Sequence, residues 1–179
     1  MIRFFDADGN KIPSSKPVGE TVCIAEIGGR FEETSVTLSV YSEELDREEV
    51  SSLLGTQPTK AWNSGELHPV GNGRSGKQRI VDWGKWWFSS KRNCEPIETK
   101  IRQILQSCTG DLKAWQILTS KYDVWLTIAA YADNWNRELR LPADILQLLA
   151  ERNLSLDIDA YFYGDDDDEQ EEDGLNDKI

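Results

Sequence analysis

The hydrophobic pattern of the chain switches between two periods, and the switches mark its elements. Val36, Leu38 and Val40 alternate with Ser35, Thr37, Ser39 and Tyr41, which predicts a strand with one buried and one wet face. A short helix follows. Asp46 and Glu49 form a capping pair, Val50, Leu53 and Leu54 share one apolar face, and Gly55 stops the run. Trp83 to Phe88 reads as the next strand. Pro96 then opens a helix with Ile97, Ile101, Ile104, Leu105 and Cys108 on one side, and Gly110 ends it. Asp111 caps a shorter helix carrying Leu112, Trp115 and Leu118. Tyr122 to Tyr131 is a largely apolar strand, and Pro142 starts a last helix with Ile145, Leu146, Leu148 and Leu149. In the closing strand Leu154, Leu156, Ile158, Ala160 and Phe162 alternate with Ser155, Asp157, Asp159, Tyr161 and Tyr163.

This order predicts an α+β fold: a single, mainly antiparallel sheet with helices on one face, ferredoxin-like in style, with pseudo-duplicated β-α-β halves. The core domain spans 34–163. Residues 1–33 form an N-terminal β-hairpin extension, in which Asp6 to Asn10 reverse the chain between Ile2–Phe5 and Lys11–Ile12. Asp6, Asp8 and Asn10 imitate the start of a calcium loop. Lys11 stands where that loop needs its glycine and Pro17 where it needs its glutamate, so a turn is expected. The alternation leaves one sheet face to solvent, and its expected occupants are Thr37, Tyr41, Trp125, Thr127, Asp157, Asp159 and Tyr161.

Charge changes this picture only once it is located. The net charge is −12, but residues 165–179 hold nine acids, beginning with Asp165, Asp166, Asp167 and Asp168, against the single base Lys178. Residues 164–179 therefore read as a disordered acidic tail on a near-neutral body. Between Arg74 and Arg102, eight bases face only three acids, which makes a basic island inside an acidic protein. The island and its tryptophans could in principle neutralise phosphates and stack bases. The tail would repel a polyanion and could occupy the island itself, so no nucleic-acid partner is expected. No apolar run approaches the roughly 18 residues of a membrane helix. No secretory leader is visible at the N-terminus, and a cytoplasmic location is expected.

Candidate chemistry is sparse. Three cysteines without CxxC spacing and a single histidine, His68, offer neither a structural zinc site nor a disulfide framework. No cofactor, metal or catalytic set is expected, since HExxH and GxSxG are absent. The segment Gly71-Asn72-Gly73-Arg74-Ser75-Gly76-Lys77-Gln78 approaches two phosphate-loop templates. Such loops need a helix behind them, whereas Arg79 to Trp83 is strand-like.

The stretch Leu53-Leu54-Gly55-Thr56-Gln57-Pro58-Thr59-Lys60-Ala61-Trp62, the Gly/basic gap and the strand Trp86 to Ser89 follow the Glu44–Val50 helix start in a set order. With the closing Leu156-Asp157-Ile158-Asp159 strand, the run from Leu38 to Phe162 resembles the bacterial domain-of-unknown-function family numbered 4279. That family has no assigned reaction, so the resemblance implies a fold and transfers no site.

Two functional classes follow. The first is a non-enzymatic protein-binding module, in particular an immunity or antitoxin-type protein that masks a cationic toxin domain with negative charge. Its contacts would be Asp157, Asp159 and the tail residues Asp165 to Asp168, with Tyr41, Trp125 and Tyr161 as aromatic anchors. The second is a small-ligand or nucleotide-binding enzyme or sensor using the glycine-rich loop 71–77. A structural subunit of a larger assembly is a third possibility.

Overall fold

A computed structural model of the chain describes residues 29–69, 77–133 and 136–163. The expected N-terminal hairpin, the glycine-rich segment 71–76 and the acidic tail lie outside the described residues. Five strands form one sheet in the order β2-β5-β1-β6-β7: β1 (Glu33–Ser42), β2 (Lys60–Trp62), β5 (Gly84–Ser89), β6 (Asp123–Ala132) and β7 (Ser155–Phe162). Short strands β3 (Leu67–Pro69) and β4 (Gln78–Ile80) pair with each other as a separate two-stranded ribbon. Every neighbouring pair in the main sheet is antiparallel except β6–β7, which α4 connects in parallel.

The helices are α1 (Arg47–Leu54), α2 (Ile97–Ser107), α3 (Leu112–Lys121) and α4 (Ala143–Glu151). Their ends follow from local chemistry. The Asp46 carboxylate accepts from Glu48 N at 3.0 Å and Glu49 N at 3.4 Å, and Gly55 closes α1 in the left-handed region at φ 68°. Asp111 caps α3 in the same way, while Pro96 and Pro142 stand immediately before α2 and α4. Among the described residues the fold is thus α+β with a mainly antiparallel five-stranded sheet and four helices. The finer ferredoxin-like duplication is not confirmed. β5 is inserted between β1 and β2, whereas β6 and β7 are direct neighbours.

One sheet face is buried under the helices. Val36, Leu38 and Val40 of β1, Trp86 of β5, and Leu126, Ile128 and Ala130 of β6 are wholly buried, together with Val50 and Leu54 of α1, Ile101 of α2, Trp115 and Leu118 of α3, and Ile145 of α4. The two indoles in this core keep their N–H groups paired. Trp86 donates to Ser51 Oγ at 3.0 Å, and Trp115 donates to the Thr109 carbonyl at 2.9 Å.

Lys100 of α2 is also wholly buried. Its ammonium donates to the Thr34 carbonyl, to Thr34 Oγ1 at 2.9 Å and to the Asn93 carbonyl at 2.9 Å. Three N–H groups thereby meet three oxygens, which satisfies the charge without a contacting carboxylate. Thr34 and Asn93 are themselves bridged through the backbone, Thr34 N to Asn93 O at 2.9 Å and Asn93 N to Thr34 O at 3.2 Å. Lys100 therefore ties α2 to the start of β1 and to the segment leaving β5. Replacing Lys100 by Ala should cost roughly 2–4 kcal/mol, through the lost bonds and the cavity left behind. Urea unfolding measures this, and an unchanged midpoint would show that the buried ammonium contributes nothing.

Candidate functional site

Because the inward rows of β1 and β6 are buried, the registers fix what stands on the opposite face. One row across that face reads Trp62 of β2, Lys85 of β5, Tyr41 of β1 and Asp123 of β6. The next reads Lys60, Trp87, Ser39, Trp125 and Ser155. Then come Ser89, Thr37, Thr127 and Asp157, followed by Ser35, Ala129 and Asp159, and finally Glu33, Tyr131 and Tyr161. Two aromatic clusters are thus separated by a floor of small residues with two aspartates along β7.

The first cluster is tightly interlocked. Tyr41 stacks on Trp125 with ring centroids 4.8 Å apart, and Trp87 Nε1 donates to the Tyr41 hydroxyl at 3.1 Å. Trp62 meets Trp87 edge-on at 5.6 Å and carries His68 of β3 on its other contact at 4.2 Å. Ser39, between Trp87 and Trp125, is only 4% exposed although it lies on the open side. At the far end Tyr131 stacks on Tyr161 at 4.9 Å and lies parallel to Tyr163 at 6.2 Å. The Arg92 guanidinium sits 3.6 Å from the Tyr131 ring centre and pairs with Glu33 at 2.6 Å. On the floor, Thr37 and Ser89 share a hydrogen bond at 3.0 Å, and Trp125 Nε1 donates to Thr127 Oγ1.

Lys85 is the most unusual group on this face. Its Nζ lies 3.1 Å from the Trp87 ring centre, 4.3 Å from that of Tyr41 and 5.7 Å from that of Trp62. Withdrawal from water pushes its ammonium down to about 8. The ring faces themselves favour the charged form. Its neighbour Gly84 explains how β5 reaches this position, since a Cβ there would stand 2.5 Å from Leu45 Cβ. A cavity of about 380 Å³ adjoins Lys85, lined also by Tyr41, Trp62, Arg79, Ile80 and Trp83.

All the expected contacts within the described residues occupy this one face: Tyr41, Trp125, Asp157, Asp159 and Tyr161. Asp165 to Asp168 lie outside the described residues. Sequence reasoning missed Lys85, Trp87 and Trp62 as members of the same cluster, and also missed β2, β3 and β4. The other candidates disperse. His68 stacks on Trp62, while Cys108 is buried in the helix layer with its thiol pushed up to about 12 by burial, so it carries no thiolate at neutral pH. Among the described residues no group of three or more His, Cys, Asp or Glu could hold a metal. No helix among them is long and apolar enough to cross a membrane.

The molecule is an α+β domain with one covered and one open, aromatic-rich sheet face. Its residues 32–163 match the family model described as a domain of unknown function (DUF4279), and the chain belongs to that family. No curated protein and no solved structure matches it.

The Lys85 amine should titrate near pH 8 in side-chain NMR, well below an ordinary lysine. In that window the unfolded chain holds its proton where the folded chain releases it, so stability rises with pH from about 8 to about 10.5. Lys85→Met should lose that rise in thermal unfolding. A titration midpoint above about 10 would rule out the desolvated amine.

Proposed function

We propose that the chain is a non-enzymatic protein-binding module whose open sheet face docks a cationic protein, in the manner of an immunity or antitoxin protein masking a toxin domain. The observation that carries this reading is the shared face of Tyr41, Trp125, Asp157, Asp159 and Tyr161. Trp125 and Tyr131 are six residues apart on β6, so the two aromatic clusters stand about 20 Å from each other across the small-residue floor. That span suits a docked segment of another protein, anchored by aromatic side chains at both ends. The β7 aspartates lie exposed at one side of the floor, available to lysine and arginine side chains. The acidic tail would add long-range attraction, acting on the association rate more than on the final contacts.

The partner class this reading names is a basic toxin domain. The double variant Asp157→Lys, Asp159→Lys should bind it at least about tenfold more weakly, with an unchanged melting temperature. Removal of residues 165–179 should slow association at low salt and flatten its salt dependence, while leaving dissociation nearly unaltered. Surface plasmon resonance resolves both. Equal affinity of the double variant would overturn the docking face, and an unchanged association rate would remove the tail from the mechanism.

A further inference from the structure

The cavity under the β3–β4 ribbon has features that protein docking does not require. Its volume of about 380 Å³ falls in the range of small-molecule sites. Two cations, Lys85 and Arg79, line it against one acid, Asp82. Neither cation has an ion-pair partner among the described residues, where the recorded pairs engage Arg47, Arg92, Arg102, Lys121 and Arg137 instead. The aromatic faces around Lys85 ease its desolvation without neutralising it. A partly dehydrated ammonium with no ion-pair partner among the described residues is poised for an anion, since pairing recovers part of the cost of removing it from water.

The rim of the cavity is apolar and open. Trp83 is 52% exposed and Ile80 is 64% exposed, and both line it beside Trp62. Large exposed apolar side chains around a cationic recess mark a place for a ligand with a flat apolar body. Asp82 on the same lining works against a second negative charge.

We propose that this cavity binds a small monoanionic aromatic carboxylate, its ring against Trp62 and Trp83 and its carboxylate facing Lys85 and Arg79. Anion binding returns the proton to Lys85, so at about pH 8.5 binding takes up protons from the buffer.

Isothermal titration of the full chain with indole-3-acetate, in two buffers of different ionisation enthalpy, tests this directly. The expected result is a dissociation constant below about 1 mM with net proton uptake at about pH 8.5. Neutral indole and inorganic phosphate should each bind at least about tenfold more weakly. Lys85→Met should abolish both binding and proton uptake, with its fold checked by circular dichroism. Arg79→Gln, at an exposed position, should weaken binding several-fold and serves if Lys85→Met does not fold. Absence of binding would overturn the proposal, as would equal binding of indole or full binding by the folded variants. Neither a protein partner nor the tail enters this assay, so its failure and the failure of the docking reading are separable.

Discussion

Burial of one face of the five-stranded sheet is the constraint from which the rest of the molecule follows. Val36, Leu38 and Val40 sit without exposure in the central strand, flanked by Trp86 on one side and by Leu126 and Ile128 on the other. Each such side chain contributes about 1.5–3 kcal/mol on burial, whereas a cross-strand pair on the open face contributes about 0.2–1 kcal/mol. The inward row therefore dictates the register, and a slip of one residue would send the whole row to solvent. The outward row accepts the company it is given. That is how a lysine comes to rest on three aromatic rings and two aspartates come to share an edge.

Two lysines show how differently one fold can treat the same charge. Lys100 is taken fully out of water and meets an oxygen with each of its three N–H groups. Nothing remains for a ligand to offer it, and its role is to hold backbone segments together. Lys85 is only partly withdrawn, and its neighbours are π faces that stabilise charge without accepting a conventional hydrogen bond. Among the described residues no oxygen takes up its bonding capacity. The first arrangement suits architecture and the second suits recognition, and the difference lies in the acceptors.

Much of this was legible in the sequence wherever local chemistry decides the outcome. Asp46 and Gly55 bound α1, Asp111 caps α3, and the alternation of β1 and β7 assigned Tyr41, Asp157, Asp159 and Tyr161 to the open face. The short strands β2, β3 and β4 were not legible. Three residues carry too little periodicity, and β2 exists because β5 offers it an edge. In the sequence Trp87 reads only as part of a strand and Lys85 as part of a basic island, because their neighbours come from β1 and β2 and only the pairing register reveals them. Lys100 did leave a trace. It falls at helical spacing among Ile97, Ile101 and Ile104, on the side that had to be buried.

The two-faced sheet has an evolutionary consequence. Substitutions at half-exposed Ser35 and Ala129 remove no side-chain hydrogen bond described above, and surface changes of this kind commonly shift stability by less than about 0.5 kcal/mol. Selection can therefore rewrite the floor between the aromatic clusters while the scaffold stays folded. A lineage can change what it recognises one small side chain at a time, and descent would then be read from the covered face and specificity from the open one.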